Sequence, residues 1–388
     1  MKQCKIVVII ACCAMLAVPL LLSQGSRNVD WPVYGGSPGS MRYSSLKEIN
    51  QTNVRQLDVA WSYDAGDGPG TLETNPIVVD GVLYGYTTAQ KVFAVNAATG
   101  KQIWLFDSGI RSRGNNRGLS YWSSGTDRRI FAAVQRYLYA LDASTGKPVP
   151  SFGEGGQIDV QADLRGDPDK ISAAVGHAPV VYKDLIIFDG RTGETLPAAP
   201  GDVRAYDARS GKLRWSFHTL PHPGEYGYET WPKDAWTYSG NLASWAGMSL
   251  DEQRGIVYVP VANPVNMFSG RDRLGDNLFA DCVLALNAET GERIWHFQTV
   301  KHDLWDRDVP SPPTGFCSSP RRTSTRSSAP SIRRRASCSG KRHCHIRATQ
   351  RLRPMRSTAD GTSSSPPVAP ASSTISETRA ACNRERST

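Results

Sequence analysis

Cysteine is almost absent from the long middle of this 388-residue chain. Cys282 is the only cysteine between Cys13 and Cys317. A body with one thiol has neither an internal disulfide framework nor a cysteine-based zinc site. Runs with helical periodicity are also scarce, whereas short β-rich runs between Gly and Pro turns are common. Together these features favour an all-β fold that does not depend on disulfides.

The body also lacks an excess of charge of either sign. The formal net charge is +9, but residues 311–388 hold 15 Lys and Arg against 3 Asp and Glu. The rest of the chain holds 30 basic and 33 acidic residues, a net charge of −3. The basic character of the whole sequence therefore gives no reason to expect a nucleic-acid partner, and we expect none.

The first 25 residues are predicted to be a signal peptide or an N-terminal membrane anchor. Lys2 and Lys5 flank the start, Ile6 to Leu22 is apolar apart from one Pro, and Ser23 to Gly25 offers small residues for cleavage. The apolar run is slightly short for a membrane span, but an uncleaved anchor stays open as the alternative. Either reading places the rest of the chain outside the cytoplasm.

A repeat occurs four times along the body. Its shared core is Ala, an apolar residue, Asn or Asp, Ala, any residue, Thr or Ser, and Gly; the copies are Ala94–Trp104, Ala140–Lys147, Ala205–Trp215 and Ala285–Trp295. The Asn or Asp side chain can bond its own backbone to open a turn, and Gly supplies a positive φ. A Trp that ends three of the copies is well placed to pack on a neighbouring unit.

Each copy follows another pair of strand-like runs, such as the pair within residues 76–85. Four strands per repeated unit are typical of β-propeller blades. The alternative is a set of unrelated hairpins, which four copies of one core disfavour. The copies begin 46, 65 and 80 residues apart, so we expect inserted loops between the later blades, where function often resides.

Three carboxylates, Asp303, Asp306 and Asp308, surround Trp305 in the stretch from Val300 to Pro310. Like charges this close disfavour each other's ionisation unless a cation is present. The stretch therefore indicates a cation site, with a solvated acidic loop as the alternative.

Together, the repeat with its trailing Trp and several longer motifs resemble the pyrroloquinoline quinone (PQQ)-dependent dehydrogenases. The motifs are Trp31–Gly36, Arg42–Ser44, Leu57–Trp61, Arg117–Trp122, Glu229–Trp236 and Val300–Pro310. The resemblance covers roughly residues 30–313, and residues 216–300 are most similar to the membrane-bound glucose dehydrogenase-like branch. It implies an eight-bladed β-propeller, of which residues 26–313 would form the N-terminal half.

The resemblance also implies roles for six residues. Asp306 matches the catalytic base and a metal ligand, and Glu194 and Asn263 match the other metal ligands. Glu73, Arg117 and Trp245 match cofactor-binding residues at the rim, at the quinone and in its floor. Roles without function are also possible for four of them. Glu73 and Glu194 would be exposed acids in loops, Asn263 would belong to an Asn-Pro turn, and Trp245 would be a buried residue of a blade.

The implied cofactors are PQQ and Ca2+, with Mg2+ or a lanthanide as alternatives, because Asp308 stands where lanthanide enzymes carry an extra carboxylate. The implied reaction is the oxidation of a sugar such as glucose in the periplasm, by a protein that associates with the inner membrane if the anchor is retained. Electrons would pass to ubiquinone or a periplasmic carrier. The alternatives are a quinate, polyol or alcohol dehydrogenase, and a non-catalytic propeller scaffold.

One departure bears on the substrate. Alcohol dehydrogenases of this family carry a vicinal Cys pair where this chain has residues 111–116, Arg-Ser-Arg-Gly-Asn-Asn. The difference favours a sugar or polyol substrate.

The composition changes abruptly after Pro313. Residues 314–388 contain no Trp or Tyr and are rich in Arg, Ser, Pro, Ala and Thr. Such a segment buries too little apolar surface to fold. We interpret it as an aberrant tail read out of frame, with a basic disordered arm as the alternative, and we expect the chain as written to be inactive.

Overall fold

The computed structural model describes residues 29–112, 115–167 and 169–313, and the backbone of residues 336–339 and 343–346. The chain divides into two compact units, Met1–Ser327 and Ser328–Thr388. In the second unit, strands Ala336–Ser339 and His343–Ile346 pair antiparallel as a hairpin that the sequence analysis did not predict. The other residues of the tail lie outside the described part of the chain.

The first unit contains four antiparallel sheets of four strands, which we call blades 1 to 4. Blade 1 is β1 (Ile77–Val79), β2 (Val82–Tyr86), β3 (Val92–Asn96) and β4 (Gln102–Phe106). Blade 2 is β5 (Ser120–Ser124), β6 (Asp127–Val134), β7 (Tyr137–Asp142) and β8 (Gln157–Asp159). Blade 3 is β10 (Val180–Tyr182), β11 (Leu185–Phe188), β13 (Val203–Asp207) and β14 (Leu213–Phe217). Blade 4 is β15 (Ser249–Asp251), β16 (Ile256–Pro260), β17 (Cys282–Asn287) and β18 (Arg293–Gln298).

Regular structure outside the blades is short. Strands β9 (Ala173–Ala174) and β12 (Arg191–Thr192) form a small separate sheet. Two 3-10 turns span Val54–Gln56 and Tyr228–Thr230, and helix α1 spans Ala235–Tyr238. Within the described residues, no helix has the length and apolar character needed to cross a membrane. The predicted signal or anchor lies outside the described residues.

The repeated motif forms the turn that the sequence predicts. In blade 1, Oδ1 of Asn96 accepts hydrogen bonds from the backbone N–H groups of Ala98 and Thr99, at 3.1 and 3.0 Å. Gly100 closes the turn with a φ of 68°. The same arrangement recurs at Asp142, Asp207 and Asn287. The side-chain acceptor and the glycine therefore act together in all four blades.

Tryptophans join successive blades at these turns. The Trp104 indole, which ends the first repeat, donates from Nε1 to the carbonyl of Ala143 in blade 2, at 2.9 Å. Its ring lies on Gly146, where an added Cβ would come within 2.5 Å of it. Trp215 makes the same contact with Gly291 of blade 4. The second repeat lacks its Trp, and Gly211 of blade 3 instead contacts Gly153.

The hydrophobic core lies between adjacent blades. One cluster joins blades 1 and 2, with Ile77 and Ile130 fully buried. A second joins blades 2 and 3 through Phe131 and Phe188, and a third joins blades 3 and 4 through Ile187. Alternate residues of one strand therefore face different neighbours, as expected for sheets packed face to face.

The strand order brings several loops to one end of each blade. In blade 4 the end of β16 pairs with the start of β17, since Pro260 faces Val283. The start of β17 faces the end of β18, since Cys282 pairs with Gln298. Loops that precede a first strand, follow a second strand or follow a fourth strand are thus neighbours. All six predicted site residues lie on such loops.

Candidate functional site

Arg117 and Glu73 occupy the loops before the first strands of blades 2 and 1. The Arg117 backbone is fixed, because its N–H donates to the carbonyl of Gly176 at 3.0 Å and its carbonyl accepts from Asn75 at 2.9 Å. Its Nη2 lies 3.2 Å from Oε2 of Glu73. The guanidinium carbon is 5.2 Å from the ring centroid of Trp245. The structure therefore brings the three predicted cofactor residues together.

A hydrogen-bond chain continues from Trp245 into the acidic stretch. Nε1 of Trp245 donates to Oδ2 of Asp308 at 2.8 Å. The other oxygen of Asp308 accepts from the backbone N–H of Asn263 at 2.9 Å. Asp308 therefore connects the indole to the predicted metal ligand, a position that the sequence analysis did not assign to it.

The Asn263 side chain is buried with a free acceptor. Its Nδ2 donates to Oδ2 of Asp303 at 2.8 Å, which orients the amide. Its Oδ1 has no hydrogen-bond partner, although the residue is only 1% exposed. A buried acceptor without a partner is costly unless a ligand satisfies it. An amide oxygen among carboxylates fits a hard cation such as Ca2+.

Asp306 lies at the tip of the stretch, with a φ of 53°. Burial and the charge of Asp308 raise the pKa of the Asp306 carboxyl above its usual value, and Glu194 and Asp303 add to this increase. Glu194 is exposed and lies 3.7 Å from Arg191. Glu194 thus affects the pKa of Asp306 electrostatically. Among the described contacts, no hydrogen bond joins Glu194 to Asn263 or Asp306.

A buried His–Asp pair holds the backbone of the loop that carries Trp245. The His177 Nε2 and Asp189 Oδ1 atoms are 2.8 Å apart, and both side chains are almost fully buried. The second oxygen of Asp189 accepts from the backbone N–H of Ser244, next to Trp245. Sequence reasoning missed this pair because neither residue belongs to a repeat or to a quoted motif.

Asp281 is a second residue that the sequence analysis missed. It is 1% exposed, and neither of its carboxylate oxygens has a hydrogen-bond partner. Burial, followed by the charges of Asp303 and Asp308, raises the pKa of Asp281 to about 7, although Arg273 opposes the shift. The signal in the sequence was its place directly before Cys282, where the strand that leads into the fourth repeat begins.

These contacts join a forked cation, an aromatic face, a free amide oxygen and a carboxylate cluster. Such a set can hold an anionic planar cofactor beside a hard divalent cation, with a carboxylate base next to both. The fold is that of part of a β-propeller, and the loops at one end of its blades carry a site suited to such a cofactor and cation.

Comparison with known proteins identifies the family. The profile of the glucose/ethanol/alcohol dehydrogenase beta-propeller domain, designated PQQ, matches residues 31–325. The chain belongs to this family, which confirms the prediction from the sequence motifs. The match continues beyond Pro313, where the composition changes.

Both glucose and alcohol dehydrogenases are among the relatives. The dehydrogenase subunit of the quinone alcohol dehydrogenase of Gluconacetobacter polyoxogenes is 36% identical over 301 residues, covering 71% of this chain and 39% of that protein. Quinoprotein glucose dehydrogenase A of Acinetobacter calcoaceticus is 33% identical over 329 residues, covering 75% and 40%. The chain thus spans about two fifths of the length of these relatives.

The fold agrees with solved structures of the same family. The structure of quinohemoprotein alcohol dehydrogenase from Comamonas testosteroni matches with a TM-score of 0.64 at 28% identity, covering 74% of this chain and 43% of that one. The predicted all-β propeller, present in part, is therefore confirmed.

Proposed function

We propose that this site belongs to a PQQ-dependent dehydrogenase that oxidises a hydroxyl group of a small molecule. The contact chain from Arg117 through Trp245 and Asp308 to Asn263 is the observation that carries the proposal. It joins the residues suited to an anionic planar cofactor to the free amide oxygen suited to a cation.

The residues present fit both groups. Arg117 offers a forked donor for a cofactor carboxylate or quinone oxygen, and Trp245 offers a flat face. Asn263 and Asp306, with Glu194 nearby, would hold the cation. When bound, the quinone would accept hydride from the substrate carbon, and the cation would polarise a quinone carbonyl.

Asp306 would take the proton of the substrate hydroxyl at a carboxylate oxygen. Burial and the surrounding carboxylates raise the pKa of Asp306, whereas a bound cation would favour the ionised form that a base requires. Both oxygens of Asp308 already accept hydrogen bonds from the protein. Asp308 is therefore already engaged and is less suited to be the extra carboxylate ligand that lanthanide enzymes carry. This supports Ca2+ as the metal, with Mg2+ or a lanthanide as alternatives.

For the substrate we propose an aldose, with polyols, quinate and alcohols as alternatives. The support is the stretch at 111–116, which has no vicinal Cys pair, and the similarity to quinoprotein glucose dehydrogenase A. We further propose a periplasmic location and transfer of electrons to ubiquinone or a periplasmic carrier. A non-catalytic scaffold is less well supported, because a scaffold has no use for the free Asn263 oxygen beside three carboxylates.

Binding of PQQ in the presence of Ca2+ tests the proposal on the 388-residue chain itself. Equilibrium dialysis should detect binding by the parent chain, and Arg117→Ala should weaken it by about tenfold or more, because a charge-assisted contact of roughly 1.5–3 kcal/mol is lost. Arg128→Ala is the matched control, since Arg128 is an exposed arginine of the same blade that pairs with Asp80. Equal binding by the Arg117 and Arg128 variants would contradict the proposed site.

A further inference from the structure

A second group of metal-ligating side chains lies outside this site, in the loop after β14. His218, His222 and Glu225 each present one ligand atom, and these atoms all lie within 4.8 Å of one another. The two imidazole rings are stacked, with centroids 3.8 Å apart and planes at 16°. None of these residues takes part in the contact chain from Arg117 to Asn263.

Glu225 holds the group together. Its Oε1 lies 2.8 Å from Nδ1 of His218, and its Oε2 accepts from the backbone N–H of His222 at 2.8 Å. The Glu225 N–H in turn donates to the carbonyl of His222 at 3.0 Å. The carboxylate is thus fixed by backbone as well as side-chain contacts, and the three side chains are held close to one another.

The His222 ring is also held by packing. It lies against Trp236, with centroids 4.9 Å apart. Both imidazoles and the carboxylate are therefore kept beside one another by contacts within the folded loop.

We propose that His218, His222 and Glu225 bind a divalent transition-metal ion, with Zn2+ as the reference ion. Two imidazoles and one carboxylate are the donors that suit Zn2+, Co2+, Ni2+ or Cu2+, whereas the site at Asn263 offers only oxygen ligands. Metal–ligand bonds of about 2.0–2.2 Å place tetrahedral ligands roughly 3.4 Å apart. Closing by about 1.5 Å, together with rotation of one stacked ring, would bring the three atoms to that spacing.

Three protein ligands leave one coordination position for water. On binding, the contact between His218 and Glu225 is exchanged for bonds to the ion. The backbone N–H of His222 stays available to the second Glu225 oxygen. The inference is independent of the quinone site, because the donors, the metal class and the residues all differ.

Titration calorimetry with Zn2+ tests the inference on the metal-free chain. The tail contains His343, Cys344 and His345, so the measurement uses a chain in which these three are replaced by Ala and accessible thiols are alkylated. We expect one equivalent to bind. We expect His222→Ala to weaken this binding by about 100-fold, and Glu225→Gln by about tenfold or more. His302→Ala, a control histidine elsewhere in the chain, should bind as the parent does.

A second measurement needs no substitution at the site. Zn2+ should protect His218 and His222 from carbethoxylation by diethyl pyrocarbonate, whereas His302 should react equally with and without the ion; peptide mass spectrometry quantifies each. Absence of the tight equivalent, unchanged binding by both site variants, or equal modification of His222 with and without Zn2+ would overturn the proposal. Failure to bind PQQ would leave it intact.

Discussion

Asp281 is a carboxylate with no hydrogen bond to either oxygen, and its charge is costly in the folded protein. Its folded pKa of about 7 lies above the usual value of about 4 in unfolded chains. Below pH 4 it is protonated in both states and contributes nothing. As the pH rises towards 7, only the unfolded chain has lost the proton, so folding is progressively penalised.

Asp281→Asn should therefore stabilise the metal-free chain, and the gain should increase from pH 5 to pH 8 by roughly 2 kcal/mol. The measurement is the free energy of unfolding from urea titrations at both pH values, with chelator present. Asp58→Asn is the control, since Asp58 is exposed. A gain that is independent of pH would show that Asp281 does not carry the penalty.

The candidate site residues could be predicted because Arg117 and Asp306 lie in long motifs of the resemblance, and the other four match it over shorter segments. Their partners could not. Asp189 supports the Trp245 loop from 55 residues away in sequence, through the Ser244 N–H, and no local pattern marks it. The sequence shows that Asp308 is one of three acids beside Trp305, but it does not show the contact with Trp245. That contact forms because the loop before β15 and the segment after β18 lie at the same end of blade 4. Distant pairings of this kind follow from tertiary packing.

At the scale of the element, the turn after the third strand of a blade has two roles. It connects that strand to the fourth, and it forms the contact with the Trp of a neighbouring blade. Gly146 has a φ of 70°, and the Trp104 ring covers it. Gly125 has a φ of 62° in the β5–β6 turn, with nothing within 4 Å of an added Cβ. Comparing alanine substitutions at Gly125 and Gly146 therefore distinguishes the cost of backbone strain from the cost of disturbing the contact between blades.

Gly125→Ala should cost about 1–2 kcal/mol, since only the left-handed backbone resists it. Gly146→Ala should cost about 1–3 kcal/mol more, because the added Cβ also displaces the indole from its contact with blade 2. Urea unfolding of both variants measures the difference. If the two cost the same, the Trp104 contact adds no measurable stability.

The repeat made the blades predictable, because Asn or Asp, Thr or Ser, and Gly encode one turn locally. The inserted loops were less predictable. The cluster of His218, His222 and Glu225 lies in such an insertion, after the third repeat, and was not identified from the sequence. The spacing of i, i+4 and i+7 would suit a helix face, but Pro221 and Pro223 exclude a helix here, so only the folded loop brings the three ligands together.

At the scale of the whole molecule, the described first unit has four blades and carries exposed apolar surface in the segment before the first blade. A row of large apolar side chains is exposed between residues 41 and 59, including Tyr43 and Val59. In a propeller each blade is covered on both faces by neighbours. We therefore expect the chain as written to self-associate as its concentration rises and to lack dye-reducing activity, so its binding and unfolding are measured in dilute solution. Quinone-dependent dye reduction by a monodisperse 388-residue chain would contradict this.

The composition change near Pro313 carries the last prediction. Residues 26–313 use Trp, Tyr and repeated Gly turns, and residues 314–388 are basic and lack both Trp and Tyr. A genuine basic arm would follow a completed domain, whereas here the match to the family profile ends at residue 325 and the chain spans about two fifths of the length of its relatives. Translation of the coding DNA beyond Pro313 in the other two frames should restore strands with Thr-Gly turns and trailing Trp residues. If neither frame does so, the tail is part of the protein, and its 15 basic residues would have to be explained by a polyanionic partner instead.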